Sequence, residues 1–399
     1  MISLDSKNKK VLFLQHDSVF ESYGGVQYYL NDFLNFLADS HGNDALQVVL
    51  AYRGPKFKLT SRPYKIETLK LAGGFLRKFE NRFSPKFFLK SLQFLKKEKY
   101  AVIIASHISL APMAALLSKL TGTPFVVIAY GFEVWGGFYP QDKWALQKAD
   151  GIISISHWTR SILEKQGFDP KKISIVHPCL SQEIISKKRG TISQSDTSSP
   201  NKTLKLLTVS RLDASEQYKG HDHVLLALAL LRRSDPNLSF SYTIQGDGND
   251  SQRLQEKVHE LQLQNWVTFI PGVTDRTELE ESYSAHDVFI MPSRFGYWDH
   301  RWRGEGFGIV YVEAGFFGMP SIAYRCGGVM DIIKHEQNGL LVEPDNIEAL
   351  AESIRALANN RSQILKLGET ANQMALENFI PSQIKLELQK ALQFNLRSF

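Results

Sequence analysis

The chain is poor in cysteine and has no long apolar run, and the short motifs of metal, redox and P-loop chemistry are missing from it. Only Cys179 and Cys326 occur in 399 residues. They cannot form a disulfide framework, and with no CxxC there is no thiolate metal or redox motif. A reducing compartment is therefore expected. The longest apolar run, Val224 to Leu231, has eight residues, far short of the roughly 20 that a membrane-spanning helix needs. The opening Met-Ile-Ser-Leu-Asp-Ser-Lys-Asn-Lys-Lys holds no apolar stretch of the kind a secretion signal carries. Gly246-Asp247-Gly248 lacks the third glycine of a dinucleotide fingerprint, and GxxxxGK[ST] is absent. No Asp-x-Asp pair is present to clamp a phosphate through a metal. His221-Asp222-His223 has no third ligand nearby, so it reads as solvent-facing residues at a helix start.

What is present is the composition of a soluble globular protein, 43% hydrophobic and 22% charged, which excludes disordered, collagen-like and coiled-coil classes. The length predicts two domains of about 150–200 residues each. The net charge of +6 is unevenly spread. Residues 53–99 carry 14 Lys/Arg against 3 Asp/Glu, so this one segment makes the protein basic and the remainder is slightly acidic. A local patch of this kind fits an anionic surface or substrate; a nucleic-acid binder would spread its charge more widely.

Short uninterrupted apolar runs alternate with helical periodicity along most of the chain. Val11 to Leu14 reads as a first strand, followed by Gly24-Gly25 and a helix with Val26, Tyr29, Leu30, Phe33, Leu34 and Leu37 at helical spacing. Further strands are predicted at 101–105, 125–129, 152–155, 173–176, 204–209, 240–244, 267–270, 288–291, 321–324 and 339–342. Such runs imply parallel sheets covered on both faces. Residues 181–203 are polar, contain Pro200 and lack periodicity, as a linker or mobile loop would. The chain is thus expected to hold an N-terminal domain over 1–180 and a second from about residue 204.

Two constellations carry chemistry. In the first, Gly304-Glu305-Gly306-Phe307-Gly308-Ile309 opens a helix that bears Glu313. Glycines let backbone amides approach a ligand, amides at a helix start suit a phosphate, and the two carboxylates suit sugar hydroxyls. The alternative is a Gly-rich turn with solvated glutamates. In the second, Arg211 and Lys219 follow the strand 204–209. A planar fork and a point charge at the carboxyl end of a strand suit a diphosphate, or are a solvated loop pair.

Taken together, Glu305-x7-Glu313, Arg211 with Lys219-Gly220, Pro292-Ser293, Gly327-Gly328 and Asn338-Gly339-Leu340-Leu341-Val342 resemble the retaining glycosyltransferases of family GT4, glycosyltransferase group 1. The resemblance is dense in the second half and thin in the first. It implies a GT-B fold, α/β, with two doubly wound Rossmann-like domains facing each other across a cleft. A nucleotide-sugar donor would be held by the second domain and a glycan or lipid-linked acceptor by the first; the second domain would run over 204–380, and a final helix over 381–399 would return to the first domain. It further implies diphosphate contacts from Arg211 and Lys219 and donor contacts from Gly306, Phe307, Gly308 and Ile309. Ribose contacts would fall to Glu313 and the transferred sugar to Glu305. Gly24 and Gly25 match the glycine-rich loop near the phosphates, though alone they also fit an ordinary turn. His107 matches an active-site histidine. No cofactor and no metal are expected.

The sequence also departs from the family pattern. Tyr130 stands where relatives carry histidine, and Tyr130 and Glu133 are candidates to line the acceptor pocket. The stretch from Arg294 to Arg303, with two Trp, a Tyr and three Arg, is an insertion that could stack on a sugar, grip an anionic group or pack as a surface loop. In the basic segment Phe75, Phe79, Phe83 and Phe87 recur every four residues, and Ser84-Pro85 reads as a helix cap followed by proline at the first helical position. Aromatics among basic residues fit an anionic membrane surface, or a core-facing stripe with a solvated basic face. The expected protein is a hexosyltransferase of cell-surface polysaccharide or glycolipid synthesis, cytoplasmic and peripheral on the inner membrane face. The alternatives are a nucleotide-sugar epimerase, a phosphorylase or a non-catalytic carbohydrate-binding protein on the same fold.

Overall fold

The structure, a computed structural model, describes residues 10–16, 24–52, 62–71, 84–186, 203–273 and 279–395. The chain divides into two compact units, one of residues 1–177 with 384–399 and one of residues 178–383. Each holds a wholly parallel sheet.

In the first unit the strands are β1 (Lys10–His16), β2 (Leu46–Tyr52), β3 (Lys65–Lys70), β4 (Tyr100–Ala105), β5 (Phe125–Ala129), β6 (Gly151–Ser154) and β7 (Ile173–Ile175). Their order is β3-β2-β1-β4-β5-β6-β7. Strand order reverses between β1 and β4, where Phe13 pairs with Ile104 on one side and Val48 on the other. The central strands are almost wholly buried, and apolar from Val11 to Leu14 in β1 and throughout in β4 and β5, because helices cover both faces of the sheet. The helix Gly25–His41 buries Tyr29, Leu30, Phe33, Leu34, Leu37 and Ala38, the face its periodicity marks, while Val26 stays exposed.

The second unit holds β8 (Leu204–Val209), β9 (Phe240–Gln245), β10 (Val267–Ile270), β11 (Val288–Ile290), β14 (Ser321–Tyr324) and β15 (Gly339–Val342), in the order β10-β9-β8-β11-β14-β15. Here the reversal falls between β8 and β11. Both sheets have doubly wound topology, which places ligand sites outside the carboxyl ends of the strands at the reversal.

Three elements differ from expectation. Strands β2 and β3 join the first sheet in register, from Gln47↔Lys65 to Tyr52↔Lys70. Leu46–Tyr52 is as apolar as its neighbours, but the basic stretch after it carries its helix signal only at Ser84-Pro85, well beyond both strands. Lys65–Lys70 is a half-exposed edge strand with a mixed pattern. The stretch after Ser293 is a hairpin, β12 (Gly296–Trp298) against β13 (Arg301–Arg303). Its two turn residues, Asp299 and His300, both take positive φ, 48° and 59°, as a type I′ turn requires. The presumed solvent residues at the start of the helix His221–Ser234 are packed. His221 is buried with its Nε2 2.9 Å from Ser210 Oγ. Asp222 accepts two bonds from Arg253, at 2.7 and 2.9 Å. These partners come from the residue after β8 and from the helix Ser251–Glu260, so no local pattern could reveal them.

A charged candidate site on the second unit

The loop after β8 carries the two cations. Asp213 caps its short 3-10 turn, Ala214–Lys219, accepting the Ser215 amide at 2.8 Å. Gly220 ends the turn at φ 83°, with Pro292 O only 2.2 Å from where a Cβ would stand. A side chain at Gly220 would therefore separate the turn from the exit of β11. The same exit is tied to the turn by the Arg294 amide, which donates to Tyr218 O at 2.7 Å. Lys219 is only 9% exposed. Its Nζ lies 2.7 Å from Glu216 Oε2, and the other carboxylate oxygen of Glu216 takes the Arg211 guanidinium. The two cations predicted from spacing thus meet on one carboxylate, and Glu216 itself had no signal in the motif reading.

Glu305 belongs to the same group of charges. Burial pushes its carboxyl above the ordinary range; Lys219 and Arg211 pull it down, Glu216 pushes it up and the Phe307 amide bonds it. The loop 304–308 is held without intervening side chains. The Gly328 amide donates to Glu305 O at 2.8 Å. A Cβ on Gly328 would stand 2.0 Å from Gly306 O, and one on Gly308 would meet Tyr311 at 2.6 Å and Glu305 Cγ at 3.2 Å. Gly308 has φ 94° and starts the helix Ile309–Phe316. Glu313, on that helix, is fully buried, and its Oε2 accepts the Tyr283 hydroxyl at 3.0 Å. Tyr283 in turn stacks on Phe317 at 5.4 Å. The two glutamates therefore have distinct surroundings, one among cations and one against an aromatic wall.

The hairpin 296–303 is consolidated by its own aromatics. Phe295 stacks on Trp302 at 5.0 Å, Tyr297 meets Trp302 edge-on at 5.9 Å, and Arg294 lies over Trp298 at 4.9 Å. Tyr297 remains 58% exposed.

In the first unit, β1, β4 and β5 end on a cluster of rings. His107 lies 5.3 Å from the His16 ring and 6.3 Å from Tyr130, nearly parallel to the latter. The Ser109 amide donates to His107 Nδ1 at 3.1 Å, which makes that nitrogen an acceptor and places the ring proton on Nε2. Ser109 Oγ also bonds His16 Nε2 at 2.6 Å. Burial pushes the His107 pKa down to about 4. Tyr130 donates to Ser106 O at 2.6 Å, and the Glu133 carboxylate accepts the amides of Tyr130 and Gly131. Glu133 thus bonds its own loop, and Tyr130 ties that loop to the end of β4. Gly24 caps the helix Gly25–His41 without any side-chain bond, and no acid stands in its first turn. His16 and Ser109 were missed because their partners converge only when the strands pair.

With this geometry in hand, known proteins can be compared. The family model for group 1 glycosyl transferases matches residues 191–374, and that for glycosyltransferase family 4 matches residues 23–183. The chain belongs to this glycosyltransferase family. It is 29% identical over 222 residues to a D-inositol 3-phosphate glycosyltransferase of Pseudarthrobacter chlorophenolicus, covering 55% of this chain and 50% of that one. It is 26% identical over 269 residues to a GDP-mannose-dependent alpha-(1-6)-phosphatidylinositol monomannoside mannosyltransferase of Mycobacterium tuberculosis, covering 65% of this chain and 67% of that one. The matched region thus spans half to two-thirds of the length of these curated relatives. Among solved structures, HepE of Anabaena in complex with UDP superposes with a TM-score of 0.71 at 20% identity, covering 96% of this chain and 99% of that one. That likeness shows the fold, that of GT-B glycosyltransferases.

The neutral histidines give a stability prediction. The pKa of His221 is lowered to about 4 by burial and then by Lys219, and that of His107 to about 4 by burial, each from 6.5. Between these values the unfolded chain binds more protons than the folded one. Stability is therefore fully present above pH 6.5 and is lost as pH falls toward 4, by roughly 2–3 kcal/mol per ring. The melting temperature should fall from pH 7 to 4.5, and less steeply in His107→Asn. Parallel curves for the two proteins would show that His107 titrates normally.

Proposed function

We propose that the chain transfers a hexosyl group from a nucleoside-diphosphate sugar to a glycan or lipid-linked acceptor, with retention at the anomeric carbon and without a metal. The observation that carries this is the convergence of Arg211 and Lys219 at the strand-order reversal of the second sheet, in one charge group with Glu305. Two cations positioned there stabilise the charge that develops on the departing diphosphate, which is the work a divalent ion does elsewhere. Glu305 accepts hydroxyl hydrogen bonds from the transferred sugar, and Glu313 those of the ribose. Retention comes from the family resemblance. The relatives named above support a nucleotide-sugar donor and a polar acceptor.

In the first unit, His107 Nε2–H is a neutral donor to sugar or acceptor oxygens, and Tyr130 and Glu133 shape the loop that receives the acceptor. Gly24 and Gly25 serve the donor phosphates. A Cβ on Gly25 would meet nothing within 4 Å, so the fold itself does not demand glycine there. The absent side chain keeps helix amides open to an anion.

The two glutamates should separate in kinetics. A contact made equally in ground and transition states changes binding, and one made more strongly in the transition state changes turnover. Glu313→Gln should weaken nucleoside diphosphate binding about tenfold, a loss of roughly 1.4 kcal/mol. Tyr283→Phe, which removes the hydrogen bond to Glu313 and keeps the carboxylate, should weaken it less. Glu305→Gln should lower kcat and leave nucleoside diphosphate affinity nearly intact. Calorimetry with steady-state kinetics tests all three, and nucleotide loss in Glu305→Gln alone would invert the assignment. Chelation by EDTA should leave turnover unchanged; activity lost on chelation and restored by magnesium or manganese would refute the cation clamp.

We extend the proposal to peripheral membrane binding on the cytoplasmic face through residues 53–99. No helix among the described residues is long and apolar enough to cross a membrane. The helix Pro85–Lys97 is capped by Ser84, with Pro85 at its start, and it buries Phe87, Ser91 and Leu95. Lys86, Leu89, Lys96 and Lys97 are exposed. Phe75, Phe79 and Phe83 lie outside the described residues. The net charge of the segment is +11, and each basic residue near an anionic surface contributes about 1 kcal/mol. The protein should sediment with anionic vesicles at low salt and be released at high salt. Equal partitioning onto neutral vesicles would sink the idea.

A further inference from the structure

We propose that Glu216 is an internal stand-in for the donor diphosphate, pairing both clamp cations when the site is empty and taking them back as the nucleoside diphosphate leaves. The inference rests on the reading of Arg211 and Lys219 as the diphosphate clamp.

The geometry is that of an anion already seated in an anion site. Glu216 is positioned by its own turn, its amide donating to Asp213 O at 2.7 Å. One oxygen lies 2.7 Å from Lys219 Nζ and the other takes the Arg211 guanidinium, so one carboxylate spans the gap that two phosphates would span. Burial differs along this row of three. The Lys219 and Glu216 side chains are 11% and 13% exposed, and that of Arg211 is 65% exposed. A lysine this buried needs a counter-charge at all times, because an unpaired cation out of water is costly. Glu216 provides one without a ligand, and a phosphate can provide it with one. Arg211, on a long exposed side chain, can turn from the carboxylate to an arriving phosphate at small cost.

Charge balance makes the two states alternatives. Arg211, Lys219 and Glu216 together carry +1, and Glu305 subtracts from that whenever it is ionised. A diphosphate brings two or three negative charges into this space. It cannot share both cations with Glu216 without placing like charges in contact, so the carboxylate has to yield. A group built into the same turn competes at high effective concentration. It weakens nucleoside-diphosphate sugar and free nucleoside diphosphate alike, as uniform binding does, and it helps turnover where product release is slow. Without it the clamp would hold its product too well.

The opposite arrangement is also definite. Glu216 could stay on Lys219 in the loaded site and merely aim it at the phosphate, a positioning role in which its loss weakens binding. Calorimetric titration of the full chain with UDP, GDP and inorganic pyrophosphate distinguishes the two. Glu216→Gln should bind pyrophosphate and the preferred nucleotide about tenfold more tightly, be inhibited by that nucleotide at correspondingly lower concentration, and melt earlier when unliganded. Glu216→Asp keeps the charge but shortens its reach, so it should tighten binding by less; it also serves if the glutamine variant folds poorly. Weaker or unchanged binding in both variants overturns the stand-in. Arg211→Gln and Lys219→Gln control for the underlying reading. If they leave pyrophosphate and nucleotide binding unchanged, the clamp itself is misassigned. If they weaken binding while Glu216→Gln fails to tighten it, only the stand-in falls.

Discussion

The charged site of the second unit depends on a contact between two stretches of backbone with no side chains between them. Gly327 and Gly328 press against the carbonyls of Glu305 and Gly306, near enough that a Cβ on either would stand 2.7 or 2.0 Å from an oxygen. That approach fixes the loop from which Glu305 projects and the start of the helix that carries Glu313. It also explains why glycines far apart in sequence occur at one place. A turn can be made by several residue types, but two main chains at this distance admit only glycine.

Charge is managed around that frame by pairing within the second unit. Lys219 is buried and neutralised by Glu216, Asp222 and Asp250 are both held by Arg253, and Glu305 is drawn toward its proton by burial and toward its charge by the cations. The first unit follows another rule at the same topological position. Its strand ends carry rings, His16, His107 and Tyr130, which pack on one another and bond Ser109 and the Ser106 carbonyl. Two sheets of the same winding thus present different chemistry at their reversal points, a group of paired charges at one and a cluster of rings at the other. Fold alone does not determine which.

Most of the strands were legible because parallel strands buried on both faces must be apolar throughout, and that signal is local. The helix Gly25–His41 was legible for the same reason through its buried stripe. Edge strand β3 was not, because none of its residues is buried and its polar and apolar residues are mixed. The hairpin 296–303 was not, because Asp-His is an unusual pair for a type I′ turn and its stability rests on Phe295, Tyr297 and Trp302 meeting across the strands.

The residues of chemistry divide in the same way. Sequence by itself determined that Arg211, Lys219, Glu305 and Glu313 stand beside strand ends and a helix start, because spacing along a βα unit is a local matter. Only the tertiary structure decided what each one faces. It set Glu216 between the two cations, put Tyr283 on Glu313, joined His16 to His107 through Ser109, and turned His221 and Asp222 inward. Each of these depends on which strands and helices become neighbours. The physical reason is that a charge or a polar ring takes its role from the groups within a few ångströms of it. In a doubly wound sheet those groups arrive from crossovers tens of residues away, whose meeting is set by packing and leaves no trace in local sequence.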